Sequence, residues 1–210
     1  MVAGIVAEMG DWQGTRYDKC MTASPMTIPE RRRFTAEEYH RLGEVGVLRS
    51  DERVELINGE VFHMSPIGPR HNAIVARLIR HFSKLSDRTI VWAQSSIRID
   101  QHGEPEPDVG LLKPRADFYE DGQPEPQDTL LLVEVADTSL AFDLNIKQRY
   151  YAVHGIPETW IVDAIRKVIH VFRDPYDGEY RLVRQFTGDD LLAPLAFADD
   201  VAPVHVMIGA

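Results

Sequence analysis

Apolar positions recur along the chain at two spacings, and these lay out its elements. Between residues 71 and 85, Ile74, Leu78, Phe82 and Leu85 fall at i, i+4, i+8 and i+11, which is one face of a helix. Phe142, Ile146, Tyr150 and Val153 repeat that spacing and predict a second helix over 142–154, stopped by Gly155 and Pro157. Strands are predicted where apolar residues alternate or run on. Residues 53–57 and 60–64 flank Asn58-Gly59, the pairing of pattern and turn that marks a hairpin. A strand or bent strand pair over 89–99 is anchored by Val91 and Ile97, and a short apolar strand follows Pro107-Asp108. Residues 130–136, nearly all apolar, read as a strand buried on both faces. Three more strands follow, at 158–163, 168–172 and 180–186, with Asp177-Gly178 turning between the last two. Thr35-x-x-Glu38 is a capping box that opens a short helix to about Leu42. Residues 113–128, rich in Pro, Gly, Asp and Glu, read as a loop, and the tail from Leu191 as a packed segment without a long element.

Residues 1–33 lack this patterning and predict a mobile N-terminal arm, with Met21 a candidate natural start and 34–210 a single domain. The 44% hydrophobic and 27% charged content is that of a globular α/β chain, and no apolar run is long enough to span a membrane. The opening residues MVAGIVAEMG carry no basic stretch, and the lone Cys20 can form no internal disulfide, so a cytoplasmic protein is expected. A net charge of −10 argues against a coat that binds nucleic acid along its whole surface. It leaves room for an enzyme with carboxylates at its centre and a local basic face.

Three charged residues stand out by position. Asp108 opens an apolar strand after Pro107, where it serves equally as a turn residue or as a functional carboxylate. Glu134 interrupts Leu-Leu-Leu-Val-Glu-Val-Ala and points to the same sheet face as Leu132 and Ala136. A buried carboxylate there must be ion-paired, protonated or metal-bound. Lys147 sits four residues after Asp143, and by itself this spacing predicts an exposed helix pair. Beside two carboxylates on neighbouring strands, Lys147 is instead a candidate to hold a water or a phosphate oxygen. His71 opens the first helix, as a phosphate contact or as a packing histidine. Arg77, Arg80 and Lys84 form a second stripe on that helix, as a DNA-backbone track or a solvated face. No zinc spacing, nucleophile elbow or phosphate loop is present in the sequence.

The order Asp108, Glu134, Lys147 on a helix-strand-strand-strand-helix-strand core resembles the restriction-endonuclease-like PD-(D/E)XK nucleases, in a variant whose lysine lies on the helix. More narrowly, several segments are similar to the Uma-two family of restriction-endonuclease-like proteins. These are Phe34-Thr-x-Glu-Glu-Tyr39, Glu55-Leu-Ile-Asn-Gly-Glu60, Met64-Ser-Pro-x-Gly-Pro-Arg-His71, Glu106-Pro-Asp108 and Val133-Glu-Val-Ala-Asp-x-Ser139. Asp143-x-x-x-Lys147 with Tyr151-Ala, and Gly155-Ile-Pro-Glu-x-Trp-Ile-Val-Asp163, complete the set. The resemblance spans about residues 34–205; Ala136-Asp137 stands where many relatives place a Ser-Pro pair.

It implies an α/β fold with a mixed central sheet, an added N-terminal hairpin and added C-terminal strands. It also implies a divalent-metal endonuclease acting on DNA, with Asp108 and Glu134 as ligands of Mg²⁺ or Mn²⁺ and Lys147 as the third catalytic residue. The first core helix contains no acidic residue, so Glu55 of the hairpin is the substitute ligand, against its reading as an ordinary outward strand residue. Two rivals remain, a non-catalytic binding or regulatory module and a hydrolase of small phosphoesters. The partners implied are DNA and, where the arm packs across an interface, a second copy of the chain; no membrane is implied.

Overall fold

A computed structural model describes residues 30–210, so most of the predicted arm, residues 1–29, lies outside the described residues. Thr35 caps α1 (Ala36–Glu44) through the expected reciprocal box with Glu38. The hairpin of β1 (Val54–Ile57) and β2 (Glu60–His63) turns at Asn58 and Gly59, both at positive φ. Then come α2 (Pro69–Phe82), β3 (Ile90–Ala93), β4 (Val109–Leu112) and β5 (Thr129–Ala136). A helical segment follows, made of α3 (Leu140–Phe142), a π-helical turn (Asp143–Lys147) and α4 (Gln148–Val153). The chain ends with β6 (Glu158–Asp163), β7 (Val168–Tyr176), β8 (Glu179–Thr187), β9 (Leu191–Leu192), β10 (Ala202–Pro203) and α5 (Val204–Ile208).

Six strands form one sheet in the order β3-β4-β5-β6-β7-β8. Only β5 and β6 run parallel, so the sheet is mixed. Their connection is the helical segment, as a parallel pair requires. Alternation along β5 sends Leu131, Val133 and Val135 to one face, where Ile74, Leu78 and Phe82 of α2 and Met207 and Ile208 of α5 cover them. Leu132 faces the other way with Tyr150, Tyr151 and Ile57, and Ala136 with Ile161 and Ala152. Ile74, Leu78 and Phe82 are each fully buried. At about 1.5–3 kcal/mol per large apolar side chain, they fix the position of α2 and of the site residue it carries.

Two elements depart from the expected pattern. The strand expected over 89–99 stops at Ala93, because Gln94 takes a left-handed backbone (φ 44°) and Ser95 and Ser96 turn back to accept from the Trp92 indole. The helix over 142–154 is not regular. Its π turn carries an extra residue per turn, so the stripe of Phe142, Ile146, Tyr150 and Val153 does not share one buried face. Ile146 and Val153 are exposed, and Asp143, Lys147 and Tyr151 turn inward. Among the described residues, no helix is long and apolar enough to cross a membrane.

Candidate active site

Beyond Val109, β4 no longer pairs with β5, and this opening at the C-terminal part of β5 makes the site. Asp108 stands at the opening. Its Oδ2 accepts from Val135 N at 2.7 Å, a donor that no strand residue takes on that side, and its Oδ1 lies 2.9 Å from His71 Nε2. Glu134 Oε1 accepts from Lys147 Nζ at 3.1 Å and from Tyr151 OH at 2.6 Å. Lys147 Nζ is also 2.8 Å from Glu55 Oε2, which the hairpin carries inward from β1. Asp143 Oδ2 accepts from Ser139 Oγ at 2.6 Å. Glu55, His71, Asp108, Glu134, Asp143 and Lys147 line one cleft with about 50 Å³ of water-sized space. That is room for roughly three or four waters at the bottom of a cleft that opens to solvent.

Charge decides what this cleft can do. Four buried carboxylates, Glu55, Asp108, Glu134 and Asp143, face one buried ammonium. Burial pushes the Glu134 carboxyl well above the ordinary carboxylate range, against the opposing pull of Lys147, and the neighbouring carboxylates add to the rise. Burial raises Asp143 in the same way. For Lys147, burial opposes the charge, but Glu134, Glu55 and Asp143 outweigh it and hold the ammonium protonated. Tyr151 is raised well above its usual value by burial and by Glu134, so it stays a phenol and a donor. Both donors to Glu134 take Oε1. Among the described residues Oε2 has no hydrogen bond, and it is not one of the sealed unpartnered atoms.

The family model described as "Uma2: Putative restriction endonuclease" matches residues 36–205, a span that contains every one of these side chains. The chain belongs to the Uma2 family. No curated protein matches it. Its fold is similar to that of a crystal structure described as "a putative nuclease belonging to DUF820 from Anabaena variabilis ATCC 29413". The TM-score is 0.65 at 15% identity, over 83% of this chain and 97% of that one. The restriction-endonuclease-like fold expected from the motif order is therefore the observed one.

Within this Uma2 cleft, Asp108, Glu134, Lys147, Glu55 and His71 are brought together, while Arg77, Arg80 and Lys84 are not among the lining residues. The exposed Asp143–Lys147 pair is corrected: Lys147 is only 2% exposed and reaches Glu55 and Glu134, while Asp143 is buried on Ser139. The physical reason is the π turn, which rotates this face off the surface. Glu55 is likewise no outward strand residue but a buried one. Tyr151 is not legible as a site residue in the sequence, because a tyrosine in an apolar helical pattern is indistinguishable from core. Its signal was the i+4 spacing from Lys147.

Proposed function

We propose that this protein is a divalent-metal-dependent endonuclease that hydrolyses DNA phosphodiester bonds. The observation that carries the reading is the buried Lys147 ammonium between Glu55 and Glu134, in a cleft that also holds Asp108 and leaves Glu134 Oε2 free. Excess buried negative charge and hard oxygen donors fit Mg²⁺ or Mn²⁺. Among the described residues no three His, Cys, Asp or Glu side chains form a ready cation cage. Mg²⁺ is commonly held by one or two carboxylates together with substrate phosphate, so two converging carboxylates suffice. Asp108 and Glu134 would hold the ion, with Glu55 as a further ligand.

When bound, such an ion neutralises phosphate charge and favours deprotonation of water. An ammonium has three protons and the two carboxylates use at most two, so Lys147 keeps a donor for the attacking water or a non-bridging phosphate oxygen. Tyr151 holds Glu134 in place, and the Glu134–Lys147 pair in turn fixes the ammonium. Water oxygen bonds to phosphorus as the bond from phosphorus to the 3′-oxygen breaks. That oxygen gains a proton and the new terminus keeps a 5′-phosphate.

The test is nicking of supercoiled plasmid with Mg²⁺ or Mn²⁺. Cutting that stops with EDTA and in Glu134→Gln supports the reading, and undiminished cutting in EDTA contradicts it. DNA bound but never cut would favour the non-catalytic module. Cleavage of a chromogenic phosphodiester without nicking would favour the small-phosphoester hydrolase.

A further inference from the structure

We propose that His71 is the positioning residue of Asp108, holding the carboxylate of that metal-ligand candidate in place from α2; the inference rests on the nuclease reading above. His71 is the third residue of α2, and Ile74, Val75 and Leu78 follow it at i+3, i+4 and i+7. It therefore extends the buried face of the helix to the end where that face gives way to the cleft. The imidazole is only 8% exposed, on a helix already fixed by Ile74, Leu78 and Phe82.

The contacts of Asp108 come from two elements. Its Oδ2 accepts from Val135 N at 2.7 Å, and one hydrogen bond leaves a carboxylate free to swivel about it. His71 Nε2, 2.9 Å from Oδ1, supplies the second point that fixes its plane. His71 Nδ1 is buried and, among the described residues, has no hydrogen-bond partner, so the ring hydrogen belongs on Nε2, beside the carboxylate. An ionised carboxylate has about four lone-pair sites, and these contacts use one on each oxygen, so Asp108 keeps a site on either oxygen for a cation. Ligating carboxylates are commonly held by partners outside the ligand set, and losing such a partner typically costs about 10–100-fold in metal affinity or activity.

This role differs from the phosphate contact and the packing histidine expected of the sequence. A phosphate oxygen on Nε2 would share its one hydrogen with Asp108 Oδ1 and bring two anions together. A residue kept only for packing needs no acceptor, and a leucine would fill the face without sealing a ring nitrogen away from water. Burial beside a carboxylate is not by itself the sign of the role. His81, at the other end of α2, is also buried and lies 3.0 Å from Asp200, but it is not among the residues lining the cleft. What sets His71 apart is that its carboxylate is Asp108.

The test is Mn²⁺ binding by isothermal titration calorimetry, without DNA and below the melting transition of each variant. His71→Leu should bind Mn²⁺ at least about tenfold more weakly than wild type. His71→Gln, whose amide can donate from near the position of Nε2, should recover most of the affinity, and His81→Leu should match wild type. If His71→Leu melts early, His71→Ala carries the same comparison. Wild-type Mn²⁺ affinity in the leucine or alanine variant would overturn the inference. So would a loss in His71→Gln equal to that in His71→Leu, which would make the imidazole itself a ligand. Weakened Mn²⁺ binding in His71→Leu, with no nicking by wild type, would keep the positioning role and remove the nuclease reading. EDTA-sensitive nicking by wild type, with Mn²⁺ affinity unmoved in His71→Leu, would do the reverse.

Discussion

Lys147 has two jobs that substitution can separate. Removing one partner from a buried ion pair leaves an uncompensated charge, at a cost of about 3–5 kcal/mol. Lys147→Met strands both Glu55 and Glu134. It should lower the unfolding free energy by about that amount in urea titrations, and Lys147→Met/Glu134→Gln should recover part of the loss. A stability within a few tenths of a kcal/mol of wild type would place Lys147 on a solvated face instead. The raised carboxyls give a pH prediction. Burial holds Glu134 and Asp143 protonated to higher pH in the folded chain than in the unfolded one. Between the two values the folded state binds more protons, so their contribution is fully present below the unfolded carboxylate value and is lost as pH rises through the folded one. Metal-free protein should therefore melt progressively lower as pH rises out of the ordinary carboxylate range, and Asp143→Asn should flatten part of that fall. Asp51, Asp117 and Asp199, held low by arginines, act only in more acidic solution.

The π turn decides which helical face meets the sheet. A regular helix through 142–154 would present Phe142, Ile146 and Tyr150 together; the wide turn presents Asp143, Lys147 and Tyr151. Deleting Ile146, which is exposed, should restore regular winding. Nicking should then be lost while the far-ultraviolet circular dichroism is kept; an active deletion variant would show that the turn does not position Lys147. This element also marks the limit of what sequence shows. Apolar spacing located the helix, because its ends are set by Gly155 and Pro157, but an inserted turn leaves no trace in a pattern counted at 3.6 residues. The Asn58-Gly59 hairpin and the apolar run of β5 were legible, because their chemistry is local. What the hairpin does with Glu55 was not, since docking of a strand pair depends on residues far along the chain, such as the Leu56–Glu104 bridge. Gly59, at φ 77°, lies so close to Arg33 that a Cβ there would meet the arginine Cβ at 2.4 Å. Gly59→Ala should cost at least about 1 kcal/mol and disturb Glu55 through β1. A variant with unchanged melting and nicking would detach the hairpin turn from the site.

Across the whole molecule, part of the acidic balance is gathered where the proposed metal would sit, as Glu55, Asp108, Glu134 and Asp143 line one cleft with Lys147. The N-terminal segment is expected to be dispensable, because residues 1–33 lack periodic apolar positions. Deleting residues 1–20 should leave the melting temperature and nicking rate near those of the full chain. A large drop in melting temperature would place that segment in a packed interface, such as one between two copies. The central claim is that this cleft cuts DNA with Lys147 acting on the water or the phosphate. It is tested most directly by the rate of supercoiled-plasmid nicking in Mn²⁺ for Lys147→Met against wild type, below the melting transition of both. Loss of one preorganised charge-stabilising donor predicts a rate lower by roughly two orders of magnitude or more, with Mn²⁺ binding retained. Equal rates would contradict the account.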